Sequence, residues 1–222
     1  MIELLAGLGR TLGFSFAAGI NLYATVAILG LASRYGWVSL PAQYRVFDND
    51  LIIGVALTMY AIEFIADKIP WVDSIWDAVH TVIRPLGGAV IAVQTLGDAS
   101  PATETLIGLL GGTLAAGTHL TKAGTRAVAN ASPEPFSNWA LSFGEDLFVV
   151  SLGFIALKYP LAAALIVLVG VVLMAIFAGW IYRALRRRWR RPGGGVTRLR
   201  QGYGAARPQG RTADYGSRSD SP

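Results

Sequence analysis

Two stretches of this chain carry no charged residue at all: the 23 residues between Arg10 and Arg34, and the 24 between Lys158 and Arg183. About 20 apolar residues suffice to take an α-helix across a bilayer. Composition agrees, since only 15% of residues are charged and mean hydropathy is +0.48, against about 25% charged in an ordinary soluble domain. The first run is too long for the ~7–15-residue apolar core of a signal peptide and lacks an A-x-A-like site after it, so it is expected to stay as a helix. The reading is an all-α, polytopic membrane helix bundle.

Charge breaks divide the chain into about six membrane segments, near residues 12–33, 51–69, 71–97, 105–128, 139–157 and 159–182. The third is expected to be broken or re-entrant, because Pro85 follows Arg84 directly and proline removes a backbone donor. Residues 1–182 hold 12 acids and 8 bases, whereas residues 183–222 hold 11 arginines and 2 aspartates. The chain therefore divides into a transmembrane domain, 1–182, and a basic tail, 183–222, whose Gly-Arg-Pro-Ser content predicts disorder. Arginines directly after a membrane helix read as a signal holding that end in the cytoplasm, with attraction to anionic lipid headgroups as a by-product. Nucleic acid is not expected as a partner. Six crossings would then place both termini inside a bacterial cytoplasmic membrane.

The stretch EFIADKIPWVDSIWDAVHTVIRP, residues 63–85, interrupts this apolar pattern. Read as a helix, Asp73, Asp77, His80 and Arg84 are spaced 4, 3 and 4 and share one face. Glu63 and Asp67 are four apart with Lys68 beside them, and His119, Lys122 and Arg126 repeat the spacing as 3 and 4. Glu145 and Asp146 fall early in the fifth segment. A charge at mid-membrane depth costs roughly 2.5–3.5 kcal/mol even on the mildest scale. Such groups must pair, lie near the interface or line a wet cavity, so they form the polar inner face of the bundle. The basic stripe of segment four has no adequate acid on its own helix. It is therefore expected to meet Glu63, Asp67, Glu145 or Asp146.

AAGINL (17–22, with Asn21) resembles AAGTHL (115–120), and PWVDSIW (70–76) resembles PEPFSNW (133–139, with Asn138). These echoes are compatible with a degenerate internal repeat of the kind that builds transporter sites at broken helices. Gly13, Ala17, Ala18 and Gly19, and later Gly108, Gly111, Gly112 and Gly117, suit close helix contact. There is no cysteine, and no H-E-x-x-H, G-x-S-x-G or P-loop motif. The two histidines read first as hydrogen-bonded bundle residues, and no metal or cofactor is expected.

The segments AAGINLYATVAILGLASRYG, EFIADKIPWVDSIWDAVHTVIRPLGGAV, GTHLTKAGTRAVANASPEPFSNW and SFGEDLFV together resemble a family of small bacterial integral membrane proteins defined by a domain of unknown function. The resemblance covers roughly residues 10–182 and implies a multi-pass fold without specifying an activity. The function expected from the residues is transporter- or channel-like handling of a small polar or anionic solute. Its candidate site residues are Asn21, Glu63, Asp67, Lys68, Asp73, Asp77, His80, Arg84, His119, Lys122, Arg126, Asn138, Glu145 and Asp146. The alternative is a membrane scaffold whose charges are structural ion pairs. An enzyme acting on a lipid phosphate is the minor reading, and homo-oligomerisation is compatible with all three.

Overall fold

The computed structural model describes residues 2–131 and 136–189. These form seven α-helices and a short 3₁₀ helix: α1 (Ile2–Ile20), α2 (Leu22–Tyr35), the 3₁₀ helix (Ala42–Phe47), α3 (Asp50–Ala66), α4 (Pro70–Leu96), α5 (Pro101–Asn130), α6 (Phe136–Lys158) and α7 (Pro160–Trp189). The helices pack into a compact unit that extends to Ala178. Of the second unit, from Gly179 onward, the described part is the end of α7.

The bundle is apolar outside and polar inside. α4 exposes Trp71, Ile75, Val79, Val82, Leu86 and Val90 while it buries Asp73, Asp77, His80, Arg84 and Gly88. α5 exposes Leu106, Leu109, Leu110, Leu120 and Val128 and buries Gly111, Ala115, His119, Lys122 and Arg126. A soluble bundle has the reverse polarity, so the surrounding solvent is lipid and the chain is a membrane protein. Among the described residues three helices, α4, α6 and the stretch Pro160–Ala184 of α7, are long and apolar enough to cross a membrane. That is fewer than the six segments expected from the charge breaks.

The difference begins in the first segment. The uncharged run is not one crossing but two helices that meet at Asn21 and reverse. α1 runs against α4, with Thr11 beside Thr95, Ser15 beside Gly88 and Gly19 beside Arg84. α2 then starts with Leu22 against Gly87 and leads to the 3₁₀ helix, where Gln43 meets Gly97 at the end of α4 and Tyr44 joins Arg10 and Thr95. The chain has thus returned to the end of the bundle where it began. Asn21 is the tip: its extended backbone (φ −146°) starts α2, and its side-chain oxygen accepts the Ala24 N–H at 2.9 Å. Asparagine is among the best helix N-caps, and hydropathy is blind to that property.

The remaining helices run from one end of the bundle to the other. α3 passes from Ile53, beside Gly30, to Asp67, beside Arg126. α4 and α5 are antiparallel, with Asp73 near Asn130 and Gly108 near Val93. α6 runs against α1, with Asp146 at Asn21 and Ala156 at Gly13, whereas α7 runs with it, from Pro160 at Gly9 to Gly170 at Phe16. The expected tight hairpin between α6 and α7 is present, with Tyr159 alone between them. The start of α1 and Ala178 therefore lie at opposite ends of the unit.

Pro85 does not break α4, which is continuous from Pro70 to Leu96. The proline costs one ladder bond, but α5 packs along the helix there and Gly112 admits the Pro85 carbonyl to close range. Nor do the two echoed hexapeptides share a conformation: AAGINL contains the break, while AAGTHL lies inside α5. They pack face to face instead. A Cβ on Gly19 would overlap the Thr118 hydroxyl and the Ala115 carbonyl, and one on Gly111 would strike Ala92 and come within 2.8 Å of the Gly88 carbonyl. At its far end α7 continues through Arg183 to Trp189 instead of stopping at Tyr182. Ala, Leu and Arg are strong helix formers, and the helix-breaking Pro192 comes only later. The expected disorder of the tail concerns residues 190–222, outside the described ones.

Two expectations follow from this packing. In the naturally cysteine-free chain, single cysteines at Glu3 and Tyr35 should react with an impermeant thiol reagent from the same side of the membrane. One at Trp71 should react from the opposite side, and labelling of Glu3 and Trp71 together would mean that residues 2–35 cross once. Gly111→Leu should lower thermal stability severely in detergent or nanodiscs. Gly54→Ala, where a Cβ meets nothing within 4 Å, should be neutral or slightly stabilising, since alanine favours helix by about 1 kcal/mol over glycine.

Candidate functional site: a buried ion cluster at a helix break

The polar faces of α3, α4, α5 and α6 converge at one end of the bundle, against the α1–α2 break. Arg84 from α4 lies deepest and is fully buried. One guanidinium nitrogen pairs with Glu63 Oε1 at 2.6 Å. The other donates to His119 Nδ1 at 2.8 Å and to the Gly19 carbonyl at 3.3 Å, and lies 3.6 Å from Asp77 Oδ1. Arginine can only donate, so His119 Nδ1 is the accepting nitrogen. Nε2 therefore carries the ring proton and faces the Asp77 carbonyl at 3.1 Å and the Thr81 hydroxyl at 3.2 Å.

Lys122 from α5 sits at the centre. Its ammonium reaches Asp67 at 3.2 Å, Glu145 at 3.3 Å and Glu63 at 3.4 Å, and it donates to the Ile20 carbonyl at 3.2 Å. One turn further along α5, Arg126 pairs with Asp67 at 2.6 Å and with Glu145 at 3.4 Å, and lies 3.6 Å from Asp73. Its remaining donors go to the carbonyl of Asp67 and to the backbone and side-chain oxygens of Asn138. The expected pairing with acids of other helices therefore forms for Lys122 and Arg126, with Glu63, Asp67 and Glu145, whereas His119 bonds to Arg84 instead.

The break supplies ligands of its own. A helix C-terminus leaves its last carbonyls without intrahelical partners and carries partial negative charge. Here Gly19 and Ile20, at the end of α1, turn those carbonyls onto Arg84 and Lys122. Asn21 then donates from Nδ2 to Asp146 Oδ1 at 3.2 Å. Irregular backbone at membrane depth is tolerated where protein groups satisfy it, and these cations do so.

His80 and Lys68 stand apart from the ion pairs, and Asp146 also makes none among the described residues. His80 donates from Nδ1 to the Trp76 carbonyl at 2.7 Å, accepts from the Tyr23 hydroxyl at 3.0 Å and stacks on the Trp76 indole. It is a satisfied bundle residue. Lys68, at the rim, donates to the Phe64 carbonyl and the Ser142 hydroxyl and lies 3.1 Å from the centre of the Phe64 ring. Sequence reading missed Asn130, which donates to Asp73 at 2.7 Å. Its signal was available, because it lies four residues after Arg126 on the same stripe. Tyr23 and Thr81, which complete the histidine bonds, carry no comparable signal.

Cavities flank the cluster. One of about 200 Å³ lies between α4 and α5, lined by Asp73, Asp77, Thr81, Arg126 and Asn130. A second, of about 170 Å³, adjoins Lys122 and Glu145 beside Thr118, Thr121 and Thr125. At the opposite end of the bundle a vestibule of about 470 Å³ is lined by Glu3, Arg10, Gln43, Tyr44 and Thr95. Burial pushes the Tyr44 hydroxyl there up to about 12. From Asp73 to Arg84 the helix rises ~16 Å at about 1.5 Å per residue, roughly half of a ~30 Å hydrocarbon core. Beyond Arg84 the interior is closed by Ser15, Gly88, Gly111, Ala115 and Ala92 in close contact.

A family model described as a domain of unknown function, DUF4126, matches residues 8–180. The chain belongs to that family. The match takes in α2 to α6 whole and most of α1 and α7, so every residue of the ion cluster lies within the DUF4126 domain. Comparison with the curated proteins found no match, and comparison with the solved structures found none either.

Arg84→Met should destabilise the folded protein by about 3–5 kcal/mol, the usual cost of removing one partner from a buried pair. Adding Glu63→Gln should recover part of that loss, because the orphaned carboxylate goes with it. Thermal melts of both variants and of Glu63→Gln alone complete the cycle. A double variant no more stable than Arg84→Met would show that an orphaned Glu63 is not what destabilises the single variant.

Proposed function

We propose that this DUF4126 protein is a transporter- or channel-like membrane protein for a small polar solute. The observation that carries the reading is the buried ion cluster beside a helix break, flanked by cavities at its own end of the bundle and matched by a further polar cavity at the other end. Charged and hydrogen-bonding groups, Asp73, Asp77, Arg126 and Asn130, line the cavity between α4 and α5. Arg84, Lys122 and Arg126 are each already held by carboxylates, so a neutral or cationic solute meets fewer obstacles than an anion, which would have to displace them. The arginines that follow Tyr182 favour a cytoplasmic position, at a bacterial inner membrane, for the ion-cluster end, with the start of α1 on the far side.

A specific observation also favours the scaffold reading: every cation at the heart of the cluster has at least one carboxylate within 3.2 Å, as a static lock would require. One experiment separates the two. Purified protein in liposomes is tested for uptake of a panel of small polar solutes under an imposed pH gradient, beside Asp77→Asn, whose carboxylate lines the polar cavity. Flux that is lost in Asp77→Asn while its melting temperature stays near wild type supports transport. No flux for any solute, together with a lowered melting temperature in the variant, supports the scaffold.

A further inference from the structure

Six carboxylates, Glu63, Asp67, Asp73, Asp77, Glu145 and Asp146, share this cluster with three buried cations. Five of the six lie within 3.6 Å of a cationic nitrogen. Asp146 makes no ion pair among the described residues. It is 8% exposed, its Oδ1 takes the Asn21 amide, and its Oδ2 has no hydrogen-bond partner. Glu63 Oε2 and Asp67 Oδ1 likewise have neither a hydrogen bond nor an ion pair, whereas Asp73 Oδ1, Asp77 Oδ1 and Glu145 Oε2 lack a hydrogen bond but lie beside a cation.

The surroundings of Asp146 make this arrangement unfavourable for a third anion. Glu63 and Asp67 act on it from α3 and its end, and Lys122 acts from α5. Lys68 and Tyr60 sense its charge in turn. Glu145 precedes it on α6, and α4 brings Asp77 and Arg84 to the same cluster. From the α1–α2 hairpin the group that reaches it is the neutral Asn21. Lys122 already serves three other carboxylates, and Lys68, which senses the charge of Asp146, gives its hydrogen bonds to the Phe64 carbonyl and the Ser142 hydroxyl instead of to that carboxylate. An isolated buried charge in a low-dielectric interior gives way to its neutral form.

We propose that Asp146 is a reversible proton-binding site: Oδ2 takes up a proton as the pH falls, and its release leaves an anion beside the helix break. The bond formed and broken is the Oδ2–H bond alone, and the proton exchanges with water. No grouping of three or more His, Asp or Glu side chains among the described residues is placed to hold a metal ion, which favours a proton over a metal ion as the ligand. Protonation adds a donor where the neighbouring free oxygens of Glu63 and Asp67 can only accept. Loss of the proton adds repulsion at the point where α1 gives way to α2, so occupancy of this site biases the conformation of the break. The proton's use as the coupling ion rests on the transport reading above. Its presence on Asp146 does not.

Infrared difference spectroscopy of the full chain in liposomes, titrated from acidic to alkaline pH, tests the site. The expected result is a protonated-carboxyl carbonyl band that disappears at high pH, shifts in heavy water and is absent in Asp146→Asn. That variant keeps an acceptor for Asn21 and resembles the protonated side chain, so its melting temperature should match wild type at acidic pH and should lack the fall that proton release causes in wild type as pH rises. If Asp146→Asn does not fold, Asp146→Glu decides the assignment, since it moves the band instead of deleting it. A band unchanged in the variants, or no protonated-carboxyl band in wild type, overturns the proposal. A band present without any pH-driven flux would overturn the transport reading alone.

Discussion

A guanidinium group buried inside a membrane protein needs anions and carbonyls around it, and that need organises this protein. Arg84 obtains Glu63 from α3, a histidine nitrogen from α5 and the carbonyl at the end of α1. Lys122 and Arg126 impose the same demand one and two turns away along α5. Because no single helix offers both signs in sufficient number, the helices have to bring them to one another. Lipid-facing surfaces then need only be greasy, which is why the outside of the bundle is so uniform.

The break at Asn21 follows from the same demand. A continuous α1 would keep its carbonyls in its own ladder, whereas a terminated one frees them for Arg84 and Lys122. Termination at that depth is affordable only because those cations are present, and the cations are tolerable partly because the carbonyls are. Close packing completes the arrangement. Gly19 lies against Ala115 and Thr118 with no room for a Cβ, so the chain end is brought within reach of α5.

How much of this was legible follows from what each feature costs. The stripes Asp73–Asp77–His80–Arg84 and His119–Lys122–Arg126 stood out because ionisable groups in an apolar segment are too expensive to be incidental. Their burial and the cross-helix pairing could be inferred from that alone. The reversal at Asn21 could not, because a single asparagine between isoleucine and leucine barely alters hydropathy while its side chain caps a new helix. Pro85 misled in the opposite direction. It is a visible helix breaker whose cost is absorbed by contacts with α5 that no local pattern reveals. The count of passes failed for the same reason: hydropathy reports that a stretch is apolar, not whether it turns back.

The inverted polarity of α4 has a consequence for how the protein is made. When α4 leaves the ribosome, Glu63 has already been synthesised and can neutralise Arg84. Asp73, by contrast, depends on Arg126 and Asn130, more than fifty residues downstream. Asp67 at the end of α3 waits equally long for Lys122 and Arg126. Until α5 has been translated, the α3–α4 pair carries an excess of acid that lipid will not accept. The pair is therefore expected to linger at the protein-lined exit of the insertion machinery and to enter the membrane together with α5. Integration of the first half of this chain is a single cooperative event, timed by the arrival of two basic residues.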